Sequence, residues 1–437
     1  MISVQRITSF DKTEEQVCSC VRPEKYEDLF RLKGKAIVAR GAGLSYCNAA
    51  ASDNALVVDM RRMNRIIHFD AVTGTIEAEA GITIGELNAF AIAHEWIIPV
   101  LPGYPTITLG GCIAFNIHGK SQYKVGTFGD WVNSIALFHP AKGETTCSAV
   151  LNQELFGLTV GGFGLTGIIL SATIRLKKLP HHGMQIERHF VSDINDAVKL
   201  MKEHSDQFEY VYSWNNLNAK GSHFGKGIVY LEKYVTGTDA PVKYKNRMAP
   251  GYRLPAVQNN FFVKLMCSTY YRLESMKSKK YVSGVTAGSF PIYGKEIYFH
   301  LFGKKGFREY QVLFPFDKWA AASDAIRILI SKMNVSVALG SLKLFSGPTH
   351  YLSFAGEGVC ITIDVQESKN AIAFFEKMDV LTIQYNGIVN LSKDSRLSGA
   401  TVSTLFPDYE SFKAGIHRAD PQNLMQSSLK SRLNLRL

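Results

Sequence analysis

The chain has 437 residues, of which 46% are hydrophobic and 20% charged, and its formal net charge is +11. This composition excludes long disordered segments and indicates a large core divided over two or three domains. The seven cysteines are odd in number and scattered, so the sequence favours reduced thiols over a disulfide framework or a metal site. The polar first residues and the lack of an apolar run of about 18 residues predict neither a signal peptide nor a membrane span, and we expect a cytoplasmic protein.

Short β-branched runs that end in turn-forming residues predict a series of strands in the first part of the chain. Between them, ITIGELNAFAIAHE has the apolar spacing of a helix, with Thr83 as its N-cap. NQELFGL also has helical spacing, and a glycine turn leads into the strand GIILSATIRL. The strands are too short and too closely spaced for a doubly wound parallel sheet, so we predict an α+β fold. The other predicted strands are AIVAR, NALVVDM, RIIHFD, TIEAEAG, IIPVLPG, SIALFHP and TTCSAV.

Three glycine-rich segments stand among these strands: ARGAGLSYCN (39–48), PGYPTITLGGCIAFNIHGK (102–120) and VGGFGLTGII (160–169). Glycine-rich turns allow backbone N–H groups to converge on an anion such as a diphosphate. None of the three matches the dinucleotide fingerprint GxGxxG or the P-loop, so nicotinamide and nucleoside-triphosphate sites are weakly indicated. The alternative for each segment is a tight turn in a β-rich domain.

A second pattern begins after Pro180-His181-His182-Gly183. Amphipathic helices, NDAVKLMKEHSDQ and DKWAAASDAIRILISKMN, alternate with strands and predict helices that lie on a second sheet. A last helix, KNAIAFFEKMD, leads into GIVNLSKDSR and a polar, helical tail. The predicted strands are YVYSWNNL, GIVYLEKYV, REYQVLFPF, SLKLF and GVCITIDV.

Most of the net charge lies in one window, residues 241–280, which we predict to be a basic loop. It holds nine lysines and arginines and one acid, Glu274, and therefore carries +8 of the total +11. Aromatic and apolar residues such as Phe261 and Tyr271 are interleaved with the charges. This pattern suits an anionic lipid surface, and it is also compatible with a solvated loop. Nucleic acid is a third possibility, but no nucleic-acid-binding motif accompanies the charge, so we expect no nucleic-acid partner.

Taken together and in this order, the three glycine-rich segments resemble the FAD-binding domain of the vanillyl-alcohol oxidase / p-cresol methylhydroxylase superfamily. Within it the chain is most similar to the decaprenylphosphoryl-β-D-ribose 2-oxidases, through TLGGCIAFNIHGKSQYKVGTFGDWV, TVGGFGLTGIILSATI, WNNLNAKGSHFGKGIVYLEKY and NLSKDSR. The resemblance implies a two-domain fold. Residues 1–180 would form the p-cresol methylhydroxylase (PCMH)-type FAD-binding domain, 181–384 an antiparallel-sheet substrate domain covered by helices, and 385–437 a segment that returns to the FAD domain.

The resemblance also implies the cofactor contacts. The first segment would wrap the diphosphate, the second would run beside diphosphate and ring, and the third would hold the adenosine side. Relatives with covalent flavin carry a histidine where this chain has Leu44, so we predict noncovalent FAD, with Cys112 as an alternative attachment point. The implied cofactor-binding residues are Arg40, Gly41, Ala42, Gly43, Leu44, Ser45, Tyr46, Pro102, Gly103, Thr108, Gly110, Gly111, Cys112, Asn116, His118, Gly119, Gly162, Gly164, Ile168 and Lys393.

Three of these residues are the implied catalytic groups: Lys393, His118 and Tyr46. A cation such as Lys393 beside the flavin stabilises its anionic reduced form and can bond a substrate hydroxyl. Each residue also has a purely structural interpretation. Lys393 could be a surface lysine paired with Asp394, His118 a structural histidine and Tyr46 a core tyrosine. The implied substrate-binding residues are Gln311, Lys343, Cys360 and Lys393, where Cys360 could equally be a buried strand cysteine.

We therefore expect an FAD-dependent oxidoreductase that oxidises a sugar hydroxyl by hydride transfer, with no metal. The resemblance implies the 2-hydroxyl of a polyprenyl-phosphoryl ribose, a partner reductase that completes an epimerisation to the arabinose form, and a peripheral position at the membrane. Gly358 stands where the best-known relative has asparagine, which leaves the sugar open. The rival functions are a soluble aldonolactone or alditol oxidase and a non-catalytic flavin-fold binding module.

Overall fold

We describe a computed structural model of the chain that covers residues 2–240, 242–245 and 260–436. Arg247 and Arg253 of the basic window lie outside the described residues. In the first part of the chain the helices are α1 (Tyr26–Phe30), α2 (Ile84–Ala93), α3 (Leu109–Ala114), α4 (Gln122–Val125) and α5 (Gln153–Thr159). The strands there are β1 (Ser3–Thr8), β2 (Glu15–Val21), β3 (Ile37–Arg40), β4 (Leu56–Asp59), β5 (Ile66–Asp70), β6 (Thr75–Glu79), β7 (Trp96–Ile97), β8 (Val132–His139), β9 (Gly143–Ser148), β10 (Ile168–Arg175) and β11 (Lys177–Lys178).

These strands form two main sheets. The first has the order β1-β2-β4-β3, in which β1 and β2 are antiparallel and the other neighbours are parallel. The second, β5-β6-β10-β8-β9, is antiparallel throughout. Helix α2 starts at the predicted cap, since Thr83 Oγ1 accepts the Glu86 N–H at 3.2 Å and the Glu86 carboxylate accepts the Thr83 N–H in return.

The second part of the chain is built on one large antiparallel sheet of eight strands, in the order β15-β12-β14-β13-β17-β18-β16-β19. Its strands are β12 (Gly183–Val191), β13 (Tyr210–Asn215), β14 (Gly227–Val235), β15 (Lys280–Gly284), β16 (Phe307–Phe314), β17 (Leu339–Phe345), β18 (Gly358–Gln366) and β19 (Ile388–Val389). The helices are α6 (Ile194–His204), α7 (Asn260–Ser275), α8 (Val285–Ser289), α9 (Ile297–His300), α10 (Trp319–Met333), α11 (Lys369–Gln384), α12 (Gly399–Leu405), α13 (Tyr409–Ala419) and α14 (Ser428–Arg432). The antiparallel sheets and the segregated helices confirm the predicted α+β class.

The two faces of the large sheet have different neighbours, because side chains alternate along a strand. On one face, residues such as Val312, Leu342 and Ile361 share a buried core with Met201 of α6 and Phe374 of α11. Side chains of the same strands on the other face line a cavity that lies between this sheet and the glycine-rich loops. Helices α6, α10 and α11 therefore cover one face of the sheet, and the other face is turned to the cavity.

Two local predictions were wrong. IIPVLPG was expected to be a strand, but only Trp96 and Ile97 pair, with Lys178 and Lys177, because the prolines at 99 and 102 cannot donate to a ladder. The basic window was expected to be a loop, yet its residues 260–275 form α7, whose buried residues Val263, Cys267 and Glu274 fall at helical spacing. The helix contacts the sheet through the Tyr270 ring, which lies 4.7 Å from that of Trp214. The helical spacing of its apolar residues, in a stretch without glycine, determines that this segment is a helix, whatever its charge. None of the helices in the described ranges is long and apolar enough to cross a bilayer.

The end of the chain returns to the first sheet. The Ile37 N–H donates to the Leu424 carbonyl and the Gln426 N–H to the Ile37 carbonyl, both at 2.8 Å, so that residues 424–426 add a parallel bridge beside β3. This return is held by Asp420, whose carboxylate accepts the N–H groups of Leu424 and Met425 at 2.8 Å.

Asp420 also contacts two buried basic groups. Lys430 Nζ lies 3.4 Å from Asp420 Oδ2, and His139 Nε2 lies 3.2 Å from Oδ1. The Lys430 side chain is 2% exposed and that of Asp420 0%. Burial alone would raise the pKa of Asp420, but these hydrogen bonds and the lysine hold it below its usual value. A carboxyl whose pKa is depressed by folding stabilises the fold above its unfolded pKa, and loses that contribution as the pH falls through the folded pKa.

Replacing Lys430 by methionine should therefore destabilise the protein by about 3–5 kcal/mol, because it leaves the Asp420 charge buried without its lysine. The measurement is chemical unfolding followed by circular dichroism at neutral pH. The control is Lys332→Met, at an exposed lysine on α10. Equal unfolding midpoints for the two variants would contradict this account of the chain return.

Candidate functional site

A cavity of about 990 Å³ lies between the glycine-rich loops and the free face of the eight-stranded sheet. The loops after β3 and before α3 form one wall, and β13, β16, β17 and β18 form the opposite wall. Helix α7 and residues 291–299 close a third side with Tyr270, Ile292 and Tyr298. This volume falls at the upper end of the range for ligand and cofactor sites in proteins.

The first glycine-rich segment leaves the end of β3 as an open loop. Gly43 has φ +68°, a backbone conformation that favours glycine, and the Arg40 guanidinium occupies the space where a Cβ would lie. A Cβ on Gly41 would lie 2.2 Å from Thr108 Oγ1, which brings the first two segments into contact. Within the described part of the chain, the backbone N–H groups of Ala42, Gly43 and Leu44 have no hydrogen-bond partner. Free donors that line a cavity fit an anionic ligand.

The second segment runs into α3 and then along the cavity. Thr108 caps α3, since its Oγ1 accepts the Gly111 N–H at 3.3 Å. A Cβ on Gly110 would lie 3.0 Å from that of Ala80, and one on Gly119 would lie 2.7 Å from the Leu101 carbonyl oxygen. These glycines therefore let the segment pack tightly on its own domain while its other side faces the cavity.

Most of the predicted site residues line this one cavity, although their contact with a cofactor or substrate stays a prediction. Leu44 is among them and carries no atom that could attach a flavin covalently. The lining residues from the prediction are Arg40, Gly41, Ala42, Gly43, Leu44, Ser45, Tyr46, Pro102, Gly103, Thr108, Gly110, Gly111, Asn116, His118, Gly119, Gly164, Gln311, Lys343 and Lys393.

Four predicted residues do not line the cavity, and each has a packing role instead. Cys112 and Ile168 are fully buried in the core of the first part of the chain, where burial raises the pKa of the Cys112 thiol well above its usual value. A Cβ on Gly162 would lie 1.8 Å from the Leu158 carbonyl oxygen, so this glycine permits a tight turn after α5. Cys360 is 1% exposed and packs against neighbours that include Phe345 and Phe354. The immediate neighbours Gly167 and Ile169 reach the cavity in place of Ile168.

Lys393 lies at the polar centre of the cavity. Its Nζ is 3.6 Å from the centroid of the Tyr46 ring and 3.5 Å from Glu309 Oε2. Tyr46 is held between aromatic rings, with the Phe10 centroid at 4.9 Å and that of Phe307 at 5.3 Å. Burial, with the nearby carboxyl groups of Glu309 and Asp364, raises the pKa of Tyr46 well above its usual value, so its hydroxyl remains protonated.

His118 forms a second polar centre with Lys343. The two side chains meet at 3.4 Å between Nζ and Nε2, and the His118 ring lies 4.8 Å from that of Phe345. Burial, with Lys343 and Lys393 nearby, lowers the pKa of His118 well below its usual value. The imidazole is therefore neutral at neutral pH, and its Nε2 can accept a hydrogen bond from the Lys343 ammonium.

Gln311 is held in place rather than free to turn. Its Nε2 donates to Thr362 Oγ1 at 2.9 Å, and its Oε1 accepts from Asn390 Nδ2 at 2.5 Å. Asn390 in turn accepts the Ser392 N–H, so this chain of bonds connects β18, β16 and the segment that carries Lys393. Such a network fixes the orientation of the side chains that a ligand would meet.

Sequence reasoning missed several cavity residues. Glu309 and Asp364 lie on the cavity face of β16 and β18, and Tyr298 donates to Asp364 Oδ2 at 2.8 Å. The two-residue alternation of REYQVLF and CITIDV would have placed Glu309 with Gln311 and Asp364 with Cys360 and Thr362 on one face. No sequence signal indicates Tyr298, since its segment reaches the site only through the tertiary fold.

A group of basic side chains also lines the cavity. Lys120 Nζ lies 2.6 Å from Glu232 Oε2 and 4.5 Å from the centroid of the Tyr210 ring, and Arg188 Nε lies 3.5 Å from Glu274 Oε2. Burial lowers the pKa of Lys295. Over the whole described lining, seven lysines and arginines stand against three acids, Glu274, Glu309 and Asp364. The basic members are Arg40, Lys120, Arg188, Lys277, Lys295, Lys343 and Lys393.

Comparison with known proteins indicates an FAD-binding domain, as the glycine-rich segments do. Residues 12–148 match the family described as FAD binding domain. The chain is similar to the decaprenylphosphoryl-beta-D-ribose oxidase of Mycolicibacterium smegmatis, with 26% identity over 99% of this chain and 98% of that protein. It is also similar to the L-gulonolactone oxidase of Scyliorhinus torazame, with 26% identity over 49% of this chain and 46% of that protein. An uncharacterized oxidoreductase of the fasciation locus of Rhodococcoides fascians is 33% identical over 32% of each chain.

The residues present fit FAD. The unpartnered N–H groups after β3 and the adjacent Arg40 suit a diphosphate, and the backbone of residues 108–119 offers a surface free of large side chains to a flat ring. The matched family and the cavity together lead to one assignment: residues 12–148 are an FAD-binding domain of the p-cresol methylhydroxylase type, FAD is the cofactor, and the protein is an FAD-binding oxidoreductase.

Proposed function

We propose that this oxidoreductase oxidises a secondary hydroxyl of a sugar joined to a polyprenyl phosphate, in the simplest case the 2-hydroxyl of a polyprenyl-phosphoryl ribose. The similarity over 99% of the chain to decaprenylphosphoryl-beta-D-ribose oxidase supports this substrate. The similarity to L-gulonolactone oxidase covers only 49% of the chain. Bound FAD would supply a hydride acceptor for such an oxidation.

The observation that carries the proposal is the excess of basic groups along the cavity. Seven basic side chains stand against three acids of the lining and against Glu232, which pairs with Lys120, so an excess of positive charge remains that favours an anionic ligand. The diphosphate of FAD offsets only part of that excess. Lys120, Arg188 and Lys295 line the cavity together with Tyr212 and Tyr230. A sugar phosphate would bind there by its charge, whereas an aldonolactone or alditol is neutral and needs no such cluster.

Near the FAD loops, this chain's own side chains have separate tasks. Lys393 and the protonated Tyr46 hydroxyl can hold the oxygen of the reacting carbinol, because both face the cavity at one point. Neutral His118 with Lys343 can position a second sugar oxygen. Gln311, fixed by Thr362 and Asn390, offers a rigid polar wall. The keto sugar formed by this reaction would pass to a separate reductase if the route is an epimerisation.

Helix α7 indicates which surface of the protein would contact the lipid part of the proposed substrate. Its inner face, with Met266, Cys267 and Tyr270, lines the cavity. Its outer face exposes Phe261 and Leu265, at 77% and 51% of their surface. Along that outer face the exposed residues recur at helical spacing and include apolar and basic side chains beside two hydroxyl side chains: Phe261, Lys264, Leu265, Ser268, Thr269, Arg272 and Leu273.

An anionic bilayer matches this outer face, since basic residues bind its phosphates and apolar side chains enter its interface. We therefore propose that the protein binds the cytoplasmic surface of a membrane, with α7 between the lipid and the cavity. An aldonolactone oxidase remains the second candidate because of the similarity to L-gulonolactone oxidase. For that enzyme the outer face of α7 would have no function.

The substrate is tested by anaerobic mixing of the FAD-loaded protein with candidate substrates, following loss of the oxidised flavin absorbance. We expect a polyprenyl-phosphoryl ribose to bleach the flavin and free ribose, alditols and aldonolactones to leave it oxidised. Bleaching by a lactone or alditol alone would establish the second candidate. Bleaching by none of them would indicate a binding module without this chemistry.

Replacement of Lys393 by methionine should slow flavin reduction by about 10²–10³-fold, the usual cost of removing one donor to a developing oxyanion. Bound FAD, measured by absorbance after gel filtration, should change little, because the loop after β3 is intact. The matched control is Lys369→Met, at an exposed lysine that begins α11. An unchanged reduction rate in Lys393→Met would exclude this residue from the reaction.

Removal of two charges from α7, in a Lys264→Gln/Arg272→Gln variant, should weaken binding to vesicles of anionic phospholipid by about 30-fold, from about 1 kcal/mol for each basic residue. Cosedimentation with vesicles measures the change, and zwitterionic vesicles show the binding that does not depend on charge. Lys332→Gln/Lys369→Gln removes two exposed charges elsewhere and should bind as the wild type does. If both double variants bind alike, α7 is not the membrane contact.

A further inference from the structure

Two buried carboxyl groups face each other inside the cavity. Glu309 of β16 and Asp364 of β18 are direct partners in the antiparallel register. They are 7% and 1% exposed, and both line the cavity. Like charges at directly opposed strand positions repel, and burial strengthens that repulsion.

Only one of the two carboxyl groups has a cationic partner. Lys393 Nζ lies 3.5 Å from Glu309 Oε2, whereas Asp364 forms no ion pair within the described residues. Tyr298 donates to Asp364 Oδ2 at 2.8 Å, and Asp364 Oδ1 is buried with no hydrogen-bond partner among the same residues. An ionised Asp364 would thus leave one oxygen of a buried charge unsatisfied.

The remaining charged groups nearby do not remove this imbalance. Lys343 of β17 is turned to His118, and burial lowers the pKa of its amine. Asp11, close to Tyr46, adds a further acid whose pKa burial raises to about 6. Burial and the neighbouring Glu309 hold the pKa of Asp364 well above its usual range, although Tyr298 and Lys393 oppose them.

We propose that Glu309 and Asp364 form a carboxyl pair that holds one proton, with the proton on Asp364, and that the Glu309 carboxylate is the base that takes the proton of the substrate hydroxyl. A proton on Asp364 turns one oxygen of that carboxyl group into a hydrogen-bond donor. It also removes the repulsion between two ionised carboxyl groups. Glu309 stays an anion beside the Lys393 ammonium. When two neighbouring titratable groups have different environments, one can stay protonated while the other is ionised. The protonated group can then act as an acid and the ionised group as a base.

The proposal rests on the proposed function for its substrate. Oxidation of the carbinol breaks a C–H and an O–H bond and forms C=O; the hydrogen leaves carbon as hydride to the FAD, and the hydroxyl proton passes to Glu309. The pair then holds two protons, and one returns to solvent through the cavity once the ketone leaves. Lys393 keeps its own proton and holds the oxygen throughout.

The kinetic test compares Glu309→Gln and Asp364→Asn in the FAD-loaded protein, by anaerobic stopped-flow reduction with polyprenyl-phosphoryl ribose. Glu309→Gln should reduce the flavin about 10²–10⁴-fold more slowly, because an amide cannot accept the proton. Asp364→Asn should be slowed less, because its amide still offers a donor towards Glu309. Glu376→Gln, an exposed carboxylate on α11, is the control for lost charge. A variant at 309 as fast as the control, or a 364 variant slower than the 309 variant, would overturn the assignment.

The second test needs no substrate. Infrared spectra of the FAD-loaded protein should show the carbonyl band of a protonated carboxylic acid at neutral pH, absent in Asp364→Asn and present in Glu376→Gln. In Glu309→Gln the same band should disappear at a lower pH than in the wild type, because the charge that favours the proton on Asp364 is gone. A wild-type spectrum without this band would show that the pair holds no proton. If the wild type is not reduced by the lipid-linked sugar, the proposed function and the base assignment fail, whereas the infrared result still decides the shared proton.

Discussion

The alternation of side chains along β16, β17 and β18 is the constraint on which the site depends. Because successive residues point to opposite faces, Val312, Leu342 and Ile361 enter the helix-covered core. The residues between them, such as Gln311 and Lys343, line the cavity. A shift of one residue in any of these strands would exchange the two sets, burying charges against α10 and α11. The same register that stabilises the core therefore assembles the polar wall of the site.

Charged side chains collect along the cavity, and several of them are paired with a charge of opposite sign. Lys393 has Glu309, Lys120 has Glu232, and Arg188 has Glu274. Groups without such a partner have shifted pKa values, as burial lowers that of His118 and raises that of Asp364. Neutral acceptors and donors thereby stand beside fixed cations, which is the arrangement that an alcohol oxidation needs from its protein.

Helix α7 connects this chemistry to the outside of the protein. Its inner face carries Tyr270 and Glu274 into the cavity wall, and its outer face carries Phe261 and Lys264 to the surface. A single helix can do both because its faces are separated by the 3.6-residue repeat. If a bilayer covers the outer face, a lipid-linked sugar would reach the cavity without leaving the membrane surface. The basic charge of the chain would then bind the same membrane that carries the proposed substrate.

Much of the protein could be read from local patterns. The α+β class, the Thr83 cap and the glycine-rich loops follow from short-range sterics and hydrogen bonding, and the family resemblance that these loops carry gave FAD. The sequence could not distinguish the glycines that line the cavity from Gly162, which only permits a turn, since both look alike locally. Nor could it pair Glu309 with Asp364, or bring Tyr298 and Lys393 to them. These residues are far apart in the chain, and only strand register and the packing of residues 291–299 and 390–393 place them in one cavity.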